Sequence, residues 1–390
     1  FVVFKTYKMN DMKGKQGLVC MGLLLVLSSC SCHTGKQITA SGLQRKDFQT
    51  EVNGQHTDLF TLSNKQGMEV CITNYGARVV SILVPDRNGK REDVVCGFST
   101  ITEYMEQRQN FGSTVGRYIG RILNARFTLD GVEYKLVPNN GKSGHISHGG
   151  NPGFADRIWK VEQADTHRVR LSYLSPDGEN GFPGNLKVTL VYSLGEDDNA
   201  LDLTYEATTD APTVLNLSHH SFFNISGNFT KSVEDQQLWV DADRFTPYDD
   251  KKCVTGEYLP VAGTPLDFRM PHTIGECIDA DHPQLKVVNG YDHTWELNTK
   301  GDDTRPAAWV YDPASGRKME IFTTEPGMQI YTGNGLKGKM TGKGGIAYPF
   351  RSAVCFETMH FQDSPNQPGF PSTVLRPGEV FRSHTVYKFE

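Results

Sequence analysis

The feature that most limits the fold of this chain is a long, strict alternation between apolar and polar side chains. From position 186 to 194 every second residue is apolar, Gly195 to Asn199 supply a turn, and the alternation resumes from 201 to 207. Because neighbouring side chains on a β-strand point to opposite faces, this pattern predicts an antiparallel hairpin with one buried face. Similar stretches recur at 70–73, 79–84, 161–173 and 239–240. The sequence therefore predicts an all-β fold, a large antiparallel β-sandwich with very little helix.

A single short helix is predicted, at positions 100–107, where Ser99 or Thr100 can cap its first turn. The 39 glycines and 19 prolines agree with a fold made of strands and turns. The formal charge is −5 with no cluster of basic residues, which argues against a nucleic-acid partner. Five of the eight cysteines lie beyond position 70, widely spaced and without a C-x-x-C pair, so we expect free thiols rather than a disulfide framework or a zinc site.

The N-terminal region has the composition of a targeting segment. Lys13 and Lys15 precede an apolar stretch at 18–27, and small residues lead from there to Cys30. The run from 27 to 30 resembles a bacterial lipobox, which predicts a lipid anchor on Cys30, with an ordinary secretory signal as the alternative. We therefore expect a signal segment at 1–30, a tether at 31–47 and one catalytic domain at 48–390. The expected location is the periplasm or the membrane surface of a bacterium.

Two groups are candidates for acid–base chemistry. His219 and His220 are adjacent in an extended stretch, so strand geometry places them on opposite faces and only one can face a given cleft. Glu357 lies among apolar residues, where burial would raise the pKa of its carboxyl group and suit a general acid or base. A salt-bridged, structural glutamate is the alternative.

Other polar residues have an ordinary structural explanation when each is taken alone. Arg121 could be a rim charge, His148 lies in a glycine-containing loop, and Asp267 could simply pair with Arg269 at the surface. Positions 333–338 match G-x-G-x-x-G, but the following residues cannot begin an amphipathic helix and no acidic residue follows at the required distance. That stretch therefore predicts a glycine-rich loop, not a dinucleotide site.

Together, however, these motifs occur in one order that resembles the aldose 1-epimerase, or galactose mutarotase, family. The segments that carry the resemblance are Asn74–Ala77, Thr114–Arg117, His148–Gly150, Asn216–Asn224, Gly263–Arg269, Gly290–His293, Glu325–Gln329 and Gly369–Leu375. The resemblance implies a large β-supersandwich with a sugar cleft. It also implies interconversion of the α and β anomers of free aldoses, such as galactose and glucose.

The resemblance implies roles for six residues. His220 matches the general acid at the ring oxygen and Glu357 the base at the anomeric hydroxyl. The implied sugar-binding residues are Arg121, His148, Asp267 and Gln329. In this chain Gly120 and His219 stand where many relatives have asparagine; the first departure leaves substrate preference open, and the second is expected on the other face of the strand.

Ring opening must take a proton from the C1 hydroxyl and give one to the ring oxygen. We therefore expect His220 to be cationic and Glu357 anionic before the reaction, on opposite sides of the sugar. No cofactor is needed for this chemistry. A bound Ca²⁺ ion is conceivable, but no ligands can be assigned to it. The expected partner is a monosaccharide, and the expected state is a monomer whose only link to a membrane is the anchor at Cys30.

Three other functions remain open from the sequence. A glycosidase could use Asp267 and Glu357 as its carboxylate pair. A non-catalytic sugar-binding lipoprotein would need Arg121, His148 and Asp267 but not Glu357. A sugar-phosphate mutarotase is disfavoured by the predicted export and by the absence of an arginine cluster.

Overall fold

The computed structural model describes residues 37–390. The predicted signal segment, Cys30 and positions 31–36 of the predicted tether lie outside the described residues. Within the described part of the chain, no helix is long and apolar enough to cross a membrane.

Short strands are the main regular secondary structure of the described chain. In its first half they are β1 (Glu51–Val52), β2 (Gln55–His56), β3 (Leu59–Ser63), β4 (Glu69–Thr73), β5 (Arg78–Pro85), β6 (Arg91–Asp93), β7 (Ser113–Val115), β8 (Arg121–Ile122), β9 (Arg126–Leu129), β10 (Val132–Lys135), β11 (Ile146–Ser147), β12 (Lys160–Ala164), β13 (Arg168–Ser175), β14 (Leu186–Leu194) and β15 (Ala200–Thr209). The second half contains β16 (Thr213–Val214), β17 (Ser218–His220), β18 (Phe222–Phe223), β19 (Gln237–Val240), β20 (Arg244–Thr246), β21 (Leu259–Pro260), β22 (His272–Thr273), β23 (Asp292–Glu296), β24 (Ala308–Tyr311), β25 (Lys318–Thr323), β26 (Gly327–Tyr331), β27 (Val354–Met359), β28 (Val374–Leu375) and β29 (Phe381–Phe389). The α-helices among these residues are α1 (Ile101–Gln107) and α2 (Pro283–Val288).

Three larger sheets organise these strands. A nine-stranded sheet has the order β12-β13-β14-β15-β29-β25-β24-β19-β22, a six-stranded sheet the order β18-β27-β26-β23-β20-β21, and a four-stranded sheet the order β3-β4-β5-β6. The pairings within each sheet are antiparallel, as between β14 and β15 or β26 and β27. The largest apolar cluster takes residues from all three sheets, among them Leu190, Ile330 and Ile72. The prediction of a large antiparallel β-sandwich is therefore confirmed.

The local predictions are confirmed where the sequence pattern was strongest. The hairpin predicted at 186–207 is formed by β14 and β15, and β14 alternates between buried and more exposed residues along its whole length. Helix α1 begins after Thr100, whose hydroxyl accepts a hydrogen bond from the Glu103 amide while the Glu103 carboxylate accepts one from the Thr100 amide. Helix α2 was not predicted, because its six residues are too few to show a helical period.

The described part of the predicted tether is packed against the sandwich. Leu43, inside the predicted tether, and Phe48, the first residue of the predicted domain, are buried in an apolar cluster with Leu59. Arg45 forms a bidentate ion pair with Asp58. Apolar side chains at 43 and 48 explain why this segment packs, since both lose contact with water when they do so.

Strand alternation divides the middle of the six-stranded sheet into two faces. On β27, Val354 and Phe356 join the main core, whereas Glu357 and Met359 face a cavity on the other side of the sheet. On β26, Ile330 faces the core in the same way. This division lets one face hold apolar residues while the other presents polar groups to a ligand.

One titratable group links the central strands at the surface. His384 of β29 contacts Asp202 of β15 (Nε2 to Oδ1, 3.0 Å) and Asp303 (Nδ1 to Oδ2, 2.7 Å). Hydrogen bonding to Asp202 is the largest cause that raises the pKa of His384, to about 8. Since a raised histidine pKa means that the cation is favoured in the folded state, the stabilisation is complete below pH 6.5 and is lost as the pH rises through about 8.

We expect His384→Gln to lower the free energy of unfolding by about 1 kcal/mol below pH 6.5, after allowance for solvent screening of a side chain that is about a third exposed. Urea unfolding of both proteins checks this, and the difference should largely disappear above pH 8. A difference that stays constant across that range would contradict the assignment.

Candidate active site

A cavity of about 240 Å³ opens on the outer face of the six-stranded sheet. Strands β23, β26 and β27 supply its floor, and the segments around β8, β11 and β17 supply its walls. The lining residues are mostly polar, with a few large apolar side chains: Gln109, Asn110, Gly120, Arg121, Ser147, His148, His220, Phe222, Asp292, Gln329, Tyr331, Glu357, Met359 and Gln362. The structure thus brings together five of the six predicted site residues, namely Arg121, His148, His220, Gln329 and Glu357.

The two predicted catalytic groups touch each other inside this cavity. His220 Nε2 lies 3.4 Å from Glu357 Oε1, and both side chains are almost completely buried. The neighbouring His219 points away, with its Nε2 at 2.6 Å from the Ser221 hydroxyl. Burial lowers the pKa of His219 to about 3. The separation of the two histidines by strand geometry is therefore as predicted.

Burial acts on the two catalytic candidates in opposite directions. It raises the pKa of Glu357 well above its ordinary value, with a further contribution from the charge of Asp292. It lowers the pKa of His220 well below its ordinary value, and His148 adds to this shift. Both shifts favour the neutral forms, whereas the sequence-based expectation is a cationic His220 and an anionic Glu357 before the reaction; that expectation stays a prediction. The two groups lie next to each other in the cavity, and their placement on opposite sides of a sugar stays a prediction.

Arg121 and His148 are brought together by the pairing of β8 with β11 and by a hydrogen bond from the His148 amide to the Gly120 carbonyl. Among the described residues, the Arg121 guanidinium has no hydrogen-bond or ion-pair partner, so its donors are available to a ligand. Burial and the charge of Arg121 lower the pKa of His148 to about 4. His148 is therefore neutral at physiological pH and can donate or accept a hydrogen bond.

The glycine after His148 is required by close backbone packing. Gly149 has φ +78°, and a Cβ atom there would lie 1.9 Å from the Gly116 carbonyl oxygen. Only glycine combines that conformation with so close an approach. The His-Gly-Gly motif thus places the imidazole by letting the loop pack directly on the chain that leads to Arg121.

Gln329 and Asp292 form a hydrogen-bonded pair on the cavity floor. Gln329 Nε2 donates to Asp292 Oδ1 at 2.7 Å, and the Thr294 hydroxyl donates to Gln329 Oε1 at 2.5 Å. Burial raises the pKa of Asp292, while the charge of Arg121 acts against this shift. Sequence reasoning missed Asp292, although it belongs to the Gly290–His293 motif. Asp292 and Thr294 are two residues apart on one strand, so their side chains point to the same face of the sheet. This was the sequence signal that could have identified Asp292.

Asp267, the sixth predicted residue, does not line the cavity. Both of its carboxylate oxygens accept hydrogen bonds from Arg269, at 2.8 Å each, and this ion pair lowers the pKa of Asp267. Its neighbours Leu266 and Phe268 are buried in the core and turn the carboxylate outward. The prediction that Asp267 holds a sugar is corrected accordingly, and Asp292 is the aspartate that lines the cavity.

Comparison with known proteins identifies the family of the chain. A model of the family described as Aldose 1-epimerase matches residues 58–388. The chain belongs to the aldose 1-epimerase family. The galactose mutarotase of Sus scrofa is 39% identical over 330 residues, covering 85% of this chain and 93% of that protein. The galactose mutarotase of Bos taurus is 40% identical over 331 residues, with the same coverage of 85% and 93%.

A solved aldose epimerase homologue from C. elegans has the same fold as this aldose 1-epimerase family member. The two superpose with a TM-score of 0.79 at 31% sequence identity, covering 86% of this chain and 99% of the other. The chain is accordingly an isomerase that interconverts the α and β anomers of aldoses.

The prediction of an exported bacterial protein is wrong. The relatives described above are mammalian galactose mutarotases, not exported bacterial lipoproteins. The prediction rested on two lysines before a short apolar stretch and on a Ser-Ser-Cys sequence. This is a pattern of local composition, and no feature of the folded sandwich supports it. The family match begins only at residue 58.

One group of side chains within 37–390 could share a cation. Ligand atoms of His220, Cys355 and Glu357 all lie within 4.8 Å of one another. Imidazole and thiolate ligands suit Zn²⁺, whereas Ca²⁺ takes several oxygen ligands, so this group does not fit the Ca²⁺ ion considered from the sequence. That ion stays a prediction without ligands, and the expectation that no cofactor is needed stays a prediction as well.

The assignment of sugar binding to Asp292 instead of Asp267 can be tested directly. We expect Asp292→Ala to raise KM for galactose by roughly ten- to a hundredfold, because a carboxylate that can accept from sugar hydroxyls is removed. Asp267→Ala should change KM by less than about twofold, because an exposed ion pair contributes little. Steady-state polarimetry on both variants, with melting temperatures as a control for folding, checks this. A larger effect at 267 than at 292 would restore the original assignment.

Proposed function

We propose that His220 and Glu357 are the acid–base pair that opens and closes the sugar ring. The observation that carries this proposal is the 3.4 Å contact between His220 Nε2 and Glu357 Oε1 in a cavity of sugar-binding character. The two oxygens that exchange protons in a hemiacetal are bonded to the same carbon, C1. Two adjacent groups can therefore reach both oxygens from one side of the ring.

The proposed reaction begins with the proton of the pair on His220. Glu357 takes the proton of the C1 hydroxyl as His220 gives its proton to the ring oxygen, and the bond between C1 and the ring oxygen breaks. The product is an open-chain aldehyde with a hydroxyl at C5, a neutral imidazole and a protonated carboxyl group. After rotation about the C1–C2 bond, the C5 hydroxyl attacks the other face of C1, and both protons return.

The directions of the pKa shifts suit this cycle. The state after ring opening, with the proton on Glu357, is the one that burial favours. The state before ring opening has the same number of protons and differs only in which partner holds the proton. The ratio of these two protonation states therefore does not depend on pH. The pair does not have to exchange a proton with solvent between ring opening and ring closure.

We propose that Arg121, His148, Gln329 and Asp292 hold the sugar. Arg121 is a donor with no partner among residues 37–390, His148 is a neutral imidazole, and Asp292 is an acceptor fixed by Gln329. A monosaccharide such as galactose or glucose is the expected substrate. The glycosidase alternative required Asp267 and Glu357 in one site, and the ion pair that holds Asp267 at the surface argues against it.

Glu357→Gln and His220→Asn should each reduce kcat by roughly 10²- to 10⁴-fold, because each removes one of the two proton-transfer groups. The measurement is the decay of optical rotation of freshly dissolved α-galactose, corrected for the spontaneous reaction. His219→Asn is the matched control, since it changes the adjacent histidine that faces the other way, and it should retain most activity. Decay at the wild-type rate with either catalytic variant would exclude the proposed pair.

The pH dependence should report the pair as a unit. At low pH both His220 and Glu357 are protonated and the pair lacks a base, whereas at high pH both are deprotonated and the pair lacks an acid. A plot of kcat/KM against pH should therefore be bell-shaped. Because burial keeps the proton on Glu357, loss of that proton sets the alkaline limb. The charge of Asp292 raises the pKa of Glu357, so Asp292→Asn should shift the alkaline limb to lower pH. A limb that does not move would mean that another group titrates there.

A further inference from the structure

A glutamine in the cavity wall, Gln362, lies directly over the backbone of Gly120. Gly120 has φ +74°, and a Cβ atom at this position would be only 2.6 Å from Gln362 Cγ and 3.1 Å from its Cδ. The stem of Gln362 therefore occupies the space that a side chain at position 120 would need. A larger residue at 120 and the present position of Gln362 exclude each other.

The chain around Gln362 is fixed on both sides. The Asp363 amide donates to the Arg121 carbonyl at 2.8 Å, and the Leu123 amide donates to the Asp363 carboxylate at 2.9 Å. On the other side, the Asn216 side chain exchanges two hydrogen bonds with the backbone of His360, both at 3.0 Å. The loop after β27 is thus held against the strand that carries Arg121. This arrangement keeps Gln362 beside Arg121 at the cavity wall.

The amide group of Gln362 is also held in one orientation. Its Nε2 donates to the Tyr248 hydroxyl at 2.7 Å and more weakly to Gln329 Oε1 at 3.3 Å. Gln329 in turn donates to Asp292. These contacts use the donors of the Gln362 amide, and its Oε1 has no donor among the described residues although the side chain lines the cavity. An acceptor oxygen in a fixed position is therefore left for a ligand.

We propose that Gln362 Oε1 accepts a hydrogen bond from one hydroxyl of the aldose ring and that the absence of a side chain at Gly120 is what allows it to do so. Gln362 is then a specificity-determining residue of this chain, and it selects aldoses that carry that hydroxyl. The inference rests on the proposed sugar cavity. It does not depend on which residues transfer protons.

The proposal is tested with Gln362→Met, which keeps the unbranched stem over Gly120 and removes the amide. Gln367→Met is the matched control, because Gln367 contacts Asp363 on the same loop but does not line the cavity. The substrates are galactose and its 2-, 3-, 4- and 6-deoxy derivatives. For each substrate, kcat/KM is measured by polarimetry and sugar affinity by calorimetry.

We expect Gln362→Met to lower kcat/KM and sugar affinity by roughly two- to tenfold for every sugar except one, because one neutral hydrogen bond is lost. For the derivative that lacks the contacted hydroxyl, variant and wild type should be equal, because the bond is already absent. Gln367→Met should equal wild type throughout. A loss of the same size for all five sugars, or no loss, would overturn the proposal and make Gln362 a positioning residue or a bystander.

Gly120→Ala provides a second, independent variant. Its methyl group would displace Gln362, so the selective pattern of losses should match that of Gln362→Met, while a melting temperature records any strain from the positive φ. A different pattern would show that the contact between positions 120 and 362 does not control specificity. Calorimetric affinities separate this proposal from the catalytic one, because they remain informative even if His220→Asn and Glu357→Gln prove active.

Discussion

The contact between His220 and Glu357 is the interaction on which the rest of the site depends. A carboxyl group and an imidazole 3.4 Å apart, both nearly inaccessible to water, must hold their protons between themselves. The fold achieves this by placing β17 against β27, and the burial that results makes each group favour its neutral form. A water-filled cleft would screen the two groups from each other and remove the opposed pKa shifts.

Around that contact, the six-stranded sheet separates two incompatible environments. The core residue Phe356 and the proposed base Glu357 are neighbours in the chain but lie on opposite faces of one strand. The polar face is itself a network, in which Thr294, Gln329 and Asp292 satisfy one another before a sugar enters. Within residues 37–390 the Arg121 guanidinium and Gln362 Oε1 are among the cavity groups that have no hydrogen-bond partner, so a ligand could contact them without replacing internal hydrogen bonds. A site prepared in this way loses little conformational freedom when it is filled.

The sequence was sufficient for features that depend on local periodicity. The β14–β15 hairpin, helix α1 and the opposite orientations of His219 and His220 follow from side-chain direction alone, and the ordered motifs were enough for the family. The sequence was insufficient for features that depend on residues close in space but distant in the chain. Asp267 and Asp292 both lie in family motifs, but only the burial of Leu266 and Phe268 shows that the first faces outward. The charge states of His220 and Glu357 likewise depend on burial, which periodicity does not measure.

The order of strands in the nine-stranded sheet has a consequence for how the protein is made. Strand β29, the last in the described sequence, is not at an edge but between β15 and β25. The two halves of this sheet therefore cannot join until residues 381–389 have left the ribosome. Until then β15 and β25 each present an unpaired edge, the kind of surface that recruits strands from other chains. Emergence of residues 381–389 should therefore be the step at which these two edges become paired.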